Sequence, residues 1–337
     1  MKYTRPLMAI LLGACATGAV SAQTAGGFNA AIPANTQLVV ADQRQQLQVA
    51  FDASGEEKKL PFKVKFADFR GGPAILEAFR AGSLDIAIVG DAPPIQAHVS
   101  GHPLPIVAAR QSTAVTYQYA LRPGLSITTL GDIRGKKIAY AEGTATQSFV
   151  LSTLNKAGLT KKDVTLVPLR IVDFLDAVRT GAVDVAPLNE PPFSRYLTNF
   201  KKDGATALPE KEVAGLPLNL SYIYASPAAL KDPVKSAAIA TFIKHWVKSV
   251  QWTEANEQAW VQAYYVKSQN LPAEVGRLVH KSLGTTSFPV LSDLIERQQN
   301  TINLIFAAGD IPKKLDAKEE FDLRFNETAA SAARNSL

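Results

Sequence analysis

One stretch of this chain is written twice. Ile75 to Pro93 reads ILEAFRAGSLDIAIVGDAP, and 99 positions later Phe174 to Pro192 reads FLDAVRTGAVDVAPLNEPP. Leu76 falls on Leu175, Arg80 on Arg179, Gly82 on Gly181, Asp85 on Asp184 and Asp91 on Glu190. Each copy has apolar residues at helical spacing (Ile75, Leu76, Phe79; Phe174, Leu175, Val178), then a glycine suited to ending a helix. A short apolar strand follows, and after it an acidic residue and prolines. A helix feeding a strand whose carboxyl end leads into a proline-started turn is half of an open α/β sheet, where ligands sit beyond the strand ends. Two such halves predict two lobes facing each other, with Asp91 and Glu190 at corresponding strand ends on opposite walls of one cleft. An ungapped match of this length favours a true repeat over a chance recurrence of helix, glycine and strand.

The amino terminus reads as an export signal. Lys2 and Arg5 precede the apolar run Leu7 to Leu12, and Val20-Ser21-Ala22 places small residues before Gln23, so residues 1–22 are expected to be removed. Leu12-Gly13-Ala14-Cys15 also resembles a lipobox, the alternative in which Cys15 carries a lipid anchor. No later stretch approaches the ~20 apolar residues that span a bilayer. With one cysteine, a disulfide within the chain is excluded. The four histidines, His98, His102, His245 and His280, have no metal-ligand spacing, and no cofactor motif is present. The net charge of +6 is scattered rather than gathered into a stripe, which argues against a nucleic-acid partner.

Several strand ends and helix starts are placed to meet a ligand. Leu38 to Ala41 is a strand followed by Asp42-Gln43-Arg44, which either bonds an anion or only opens the next helix. Arg70-Gly71-Gly72-Pro73 opens a helix whose free backbone N–H groups attract anions. Thr144-Ala145-Thr146-Gln147 fits a capping box, so its side chains either satisfy that helix or share its donors with a ligand. Tyr117 to Leu121 and Leu218 to Ala225 are extended runs placed to cross between lobes. From Pro227 on the chain reads as helical, with Ile239, Phe242, Ile243, Trp246, Val247 and Val250 on one face. Trp252, Trp260, Tyr264 and Tyr265 are expected to pack this tail onto the first lobe. These boundaries give lobe 1 as residues 23–121 and 223–337, and lobe 2 as residues 122–222.

Asp42-Gln43, Phe69 to Pro73, Leu76-Glu77-Ala78, Ala81 to Asp85, Gly90-Asp91-Ala92-Pro93-Pro94, Gly135-Lys136-Lys137 and Ala157-Gly158-Leu159 together resemble the substrate-binding proteins of ABC importers for aliphatic sulfonates, taurine and nitrate. The likeness runs from about Leu38 to beyond Trp252 and is strongest to the sulfonate branch. It implies an α/β, two-lobed periplasmic binding protein fold of type II, with two hinge crossings, a ligand cleft between the lobes, and delivery to an ABC permease. A periplasmic monomer without cofactor is the corresponding expectation.

Two departures fall on the pocket. Asn189-Glu190-Pro191 stands where the sulfonate branch usually has Trp-Asp-Pro, and Gly143-Thr144 with Gln147 where it usually has Gly-Ser and a histidine. The ligand therefore stays open between an aliphatic sulfonate, taurine, a nitrate-like anion and a pyrimidine precursor. An enzyme on the same fold, using Asp91 and Glu190 as acid and base, is the reading from another class. The candidate ligand contacts are Gln43, Arg44, Gly72, Asp91, Ala92, Thr144, Ala145, Thr146, Gln147, Arg170, Asn189 and Glu190. Among them Thr144, with the backbone of its turn, is expected to carry more of an anionic head than any single arginine. Arg44, Arg70 and Arg170 are the alternatives.

Overall fold

The computed structural model describes residue 1 and residues 28–114, 117–216 and 220–335. The expected signal peptide, with Cys15, lies outside the described residues. The strands in chain order are β1 (Gln37–Asp42), β2 (Lys63–Asp68), β3 (Ile86–Val89), β4 (Ile106–Ser112), β5 (Gln118–Leu121) and β6 (Lys137–Tyr140). They continue with β7 (Thr165–Pro168), β8 (Val185–Leu188), β9 (Thr206–Ala207), β10 (Leu220–Ala225) and β11 (Thr286–Ser287). They form two mixed sheets, ordered β11-β4-β10-β3-β1-β2 and β7-β6-β8-β5-β9, each the centre of one lobe.

The duplicated stretch has one structural meaning in both places. Its two strands, β3 and β8, each lie between a parallel neighbour (β1, β6) and an antiparallel one (β10, β5). The offset of 99 extends beyond the copied residues, because the helices that follow β1 and β6 begin at Gln46 and Ala145. In both copies the aspartate before the strand accepts backbone N–H bonds from a neighbouring strand: Asp85 from Val39, at 2.9 Å, and Asp184 from Lys137, also at 2.9 Å. The repeated aspartate thus ties helix, turn and sheet together in each lobe.

Both lobe boundaries differ from the expectation. Gln118–Leu121 pairs with β8 and β9 of the second sheet, so this run belongs to lobe 2 and does not close lobe 1. Leu220–Ala225 pairs with β3 and β4 and belongs to the first sheet, so lobe 2 ends before Leu220 rather than at Tyr222. An extended run can be read from sequence, whereas the sheet it joins is a long-range choice. The chain changes sheet between β4 and β5 and again between β9 and β10, and residues 115–116 and 217–219, with Leu218 of the second expected crossing, lie outside the described residues.

The helical tail forms as its periodicity predicts. Pro233–Ala255 starts at Asp232, whose carboxylate accepts from Val234 N at 2.8 Å and Lys235 N at 3.2 Å. Its buried face carries Ile239, Phe242, Ile243, Trp246, Val247 and Val250 into the core of the first lobe, where Phe242 stacks on Phe51 at 4.9 Å. Helix Ile295–Ala307 packs differently, placing Ile302 and Ile305 in a cluster with Ala92 and Ile95 of lobe 1 and Leu151 of lobe 2. Just after it, the largely buried Asp310 carboxylate accepts from Tyr140 Oη at 2.8 Å and Gln147 Nε2 at 2.7 Å and pairs with Lys161, all on lobe 2. The carboxy-terminal segment therefore ties the two lobes along one side of the cleft. Among the described residues no helix is long and apolar enough to cross a membrane.

Candidate functional site

A cavity of about 620 Å³ opens between the lobes. The carboxyl ends of β1, β3 and β8 converge on it, as an open sheet's topology requires. Asp91, after β3, and Glu190, after β8, both line it, at corresponding strand ends of the two sheets. The lobes meet at its floor. Ser148 Oγ donates to Asp91 Oδ1 at 3.0 Å, a Cβ on Gly72 would stand 4.0 Å from Gly143 O, and one on Gly90 would lie 2.5 Å from Ala145 Cβ.

The carboxylates at this cavity are already engaged. Asp42 accepts from the backbone N–H groups of Gln43, Leu47 and Gln48 at 2.7, 3.0 and 2.9 Å, capping helix Gln46–Ser54. Asp68 accepts from Gln45 N, and Glu254 from Thr286 N. Glu190 turns back on Ser194, taking its N–H at 3.2 Å and its hydroxyl at 2.8 Å, and so stabilises the start of helix Pro192–Asn199. Burial pushes Asp42, Asp91 and Glu190 above the ordinary carboxylate range. Asp91 and Glu190 thus serve the lobe contact and a helix cap.

The cationic groups are in the opposite condition. Arg44 and Arg110 line the cavity, and among the described residues neither guanidinium donates a hydrogen bond or forms an ion pair. Arg44 sits in a turn where it and Gln45 adopt φ of 56° and 57°, a left-handed conformation that is costly for residues with a Cβ. The Asp42 bonds and the 3.0 Å bond from Gln269 Nε2 to Arg44 O hold that turn in place. Arg110 is level with Ser221 on β10, at the cleft end of β4, and burial pushes its guanidinium below its ordinary value.

Of the other expected contacts, Gln43, Gly72, Thr144, Ala145 and Asn189 line the cavity, while Ala92, Thr146, Gln147 and Arg170 do not. Ala92 is fully buried among apolar side chains. Gln147 is fully buried, accepting from Gly143 N at 2.8 Å and donating to Asp310, so the expected capping box does not form. Thr144 donates its hydroxyl proton to Ala141 O at 2.6 Å and lies 2.7 Å from the Thr146 hydroxyl. Thr144 therefore faces the cavity with its helix start, not with a free hydroxyl. Arg170 is paired with Asp173, its side chain 79% exposed. Gln43 donates its side-chain amide to Ile88 O at 3.1 Å.

Sequence reasoning missed Arg110, Ser148, Tyr264 and Tyr265 as cavity residues. Arg110 left a signal, a lone charge closing the apolar strand Ile106 to Ala109. Tyr264 and Tyr265 do more than pack the tail: they sit on a π-helical segment, Val261–Ser268, and both line the cavity. Trp260 stacks on Tyr264 with ring centres 4.7 Å apart, giving the cavity an aromatic wall. Among the described residues, no group of three or more His, Cys, Asp or Glu is gathered as a metal ion would require.

Residues 30–234 match the family model for the periplasmic substrate-binding protein of phosphonate-type ABC transporters. The chain belongs to this family of periplasmic substrate-binding proteins. As a binding protein of that family it is not an enzyme; it takes a small ligand and works with an ABC transporter. A relative from Escherichia coli K12, provisionally named an aliphatic sulfonates-binding protein, is 29% identical over 78% of this chain and 81% of its own. One of the same name from Bacillus subtilis 168 is 25% identical over 86% and 83%. The alkanesulfonate-binding protein of Xanthomonas axonopodis pv. citri, solved with MOPS, superposes with a TM-score of 0.77 at 24% identity, covering 87% of this chain and 99% of that one. At that identity the likeness is one of fold: the type II fold that the resemblance implies, with the two lobes that the duplicated stretch predicts.

Proposed function

We propose that this binding protein captures a small organic anion, foremost an aliphatic sulfonate, between its lobes and hands it to the membrane subunits of an ABC importer. The observation that carries this reading is the asymmetry of hydrogen bonding around the cavity. Its carboxylates accept from protein donors, whereas the Arg44 and Arg110 guanidinium groups have no protein acceptor among the described residues. Beside them the helix starts at Gly72 and Ala145 have no side-chain cap, so their backbone N–H groups add donors for acid oxygens. Trp246, Val250, Trp260 and Tyr264 offer apolar surface to a carbon tail. The aliphatic sulfonates in the names of the E. coli and B. subtilis relatives support the choice of acid. Export to the periplasm is part of the same proposal, and rests on Lys2, Arg5 and the small residues Val20-Ser21-Ala22.

A thermal-shift screen of the mature chain tests it, with alkanesulfonates, taurine, nitrate, sulfate esters, phosphonates and pyrimidines. A ligand at about a hundredfold its Kd adds ~2.7 kcal/mol to the folded state, a readily measured rise in Tm. The expected result is the largest rise with an alkanesulfonate. A rise confined to nitrate or to a pyrimidine would replace the sulfonate reading.

A further inference from the structure

The cavity is larger than a short alkanesulfonate requires, and its lining passes well beyond the meeting of the lobes. Besides Arg44, Gly72 and Ala145, the lining takes in an inner arm of Arg110, Trp246, Val250, Glu254, Tyr265 and His280. This inner arm belongs wholly to lobe 1. It contains Arg110, whose guanidinium has no protein acceptor among the described residues. Glu254 contributes to the field at Arg110, but its Oε1 accepts from Thr286 N at 2.8 Å and it makes no ion pair with Arg110.

The two arginines reach the cavity from different strands: Arg44 follows β1 and Arg110 lies near the end of β4, with β3 and β10 between those strands in the sheet, a separation of about 14 Å at one strand spacing per step. A ligand with a single acidic group at the helix starts and Arg44 would leave Arg110 facing only its tail. A cation enclosed without an acceptor is unfavourable, and a second acidic group on the ligand removes that cost.

We propose that the preferred ligands carry two acidic groups on one carbon skeleton: a sulfonate held at Arg44 and the Gly72 and Ala145 helix starts, and a carboxylate or second sulfonate held in the inner arm by Arg110. This rests on the sulfonate-binding reading above and narrows it to a class of sulfonates. Trp246, Trp260, Tyr264 and Tyr265 suit a flat or extended apolar spacer between the acids.

Titration calorimetry on the mature chain tests the inference with matched pairs: benzenesulfonate against 3-sulfobenzoate and 4-sulfobenzoate, and hexane-1-sulfonate against 6-sulfohexanoate. At least one two-acid probe should bind roughly tenfold or more tightly than its monoacid counterpart, as a charge-assisted hydrogen bond implies. Arg110→Gln should cost the two-acid probes at least tenfold more affinity than their monoacid partners, while Arg44→Gln weakens both classes alike. The ligand-free Tm of each variant and the parallel variant Arg110→Lys guard against a folding defect. Monoacids that bind as tightly as every two-acid partner would overturn this inference and leave the sulfonate reading intact. Equal losses for both classes in Arg110→Gln would overturn it too, by placing Arg110 at the head group. Failure of every sulfonate to bind would remove both readings.

Discussion

Ser148 Oγ of lobe 2 donates to Asp91 Oδ1 of lobe 1 at 3.0 Å, and so joins the lobes through the acidic residue that the duplicated stretch singles out. Thr301, on the helix that also touches both lobes, stands 3.5 Å from the other oxygen of that carboxylate. Burial raises the Asp91 carboxyl above its ordinary range, so each hydrogen bond that it receives matters.

Removing the donor should therefore loosen the meeting of the lobes. Ser148→Ala is expected to weaken ligand binding by ~1 to 3 kcal/mol, the usual effect of leaving a buried acceptor unsatisfied. Calorimetry would measure the loss, and small-angle scattering at saturating ligand should show a less compact molecule than wild type. Wild-type affinity together with an unchanged radius of gyration would show that this bond does not govern closure.

The contact of Gly90 with Ala145 gives a steric version of the same test. Gly90→Ala would bring two Cβ atoms to 2.5 Å, a separation that packed side chains do not adopt, so the lobes must stand further apart. We expect ligand affinity to fall at least tenfold with little change in ligand-free Tm. Adding Ala145→Gly removes the nearest atom and leaves the next at 3.5 Å, so the double variant should recover most of the affinity. If it does not, the loss in Gly90→Ala has another origin.

The roles of Thr144 and Arg44 separate cleanly. Arg44→Ala should cost ~2 to 5 kcal/mol of binding, as expected for truncating one partner of an enclosed charged hydrogen bond. Thr144→Ala deletes the hydroxyl that donates to Ala141 O, so its effect, ~1 kcal/mol, should appear in chemical denaturation and not in calorimetry. The reverse pattern would restore the hydroxyl of Thr144 as the anion contact.

Stability should depend on pH through His98. Its hydrogen bond with Glu320 raises its pKa, with Nδ1 3.3 Å from Glu320 Oε1 and Nε2 3.1 Å from Glu319 Oε2. A histidine raised in the folded state contributes stability that is full below its unfolded value of 6.5 and is lost as pH rises through the folded value. Glu320, raised by burial and bonded to Gln298, and Asp91 act in the same direction, because the folded state binds their protons more readily than the unfolded chain. The Tm should fall as pH rises from about 6 to about 8.5, and His98→Gln should flatten that slope. A wild-type Tm that is flat across the range, or an unaltered slope in the variant, would discount the pair.

What was legible in the sequence was local or repeated. The duplicated stretch foretold two lobes of the same construction and put Asp91 and Glu190 at matching strand ends on one cavity. The helical face from Ile239 to Val250 was readable because burial on one side imposes the helical period on the residues themselves. The capping of helix Pro192–Asn199 by Glu190 was also within reach, as it is a contact between residues four apart next to a proline-started helix.

The remainder depended on partners far apart in the chain. Whether Gln118–Leu121 and Leu220–Ala225 join one sheet or the other is decided by which strands they meet, and both runs look alike as sequence. Gln147, Thr144 and Arg44 are all polar residues at strand ends or helix starts. Only the tertiary structure gives Gln147 to Asp310 and Thr144 to Ala141 while leaving Arg44 and Arg110 without a protein acceptor among the described residues. A side chain's identity sets what it can bond; competition among all the groups brought near it sets whether that capacity is still available to a ligand.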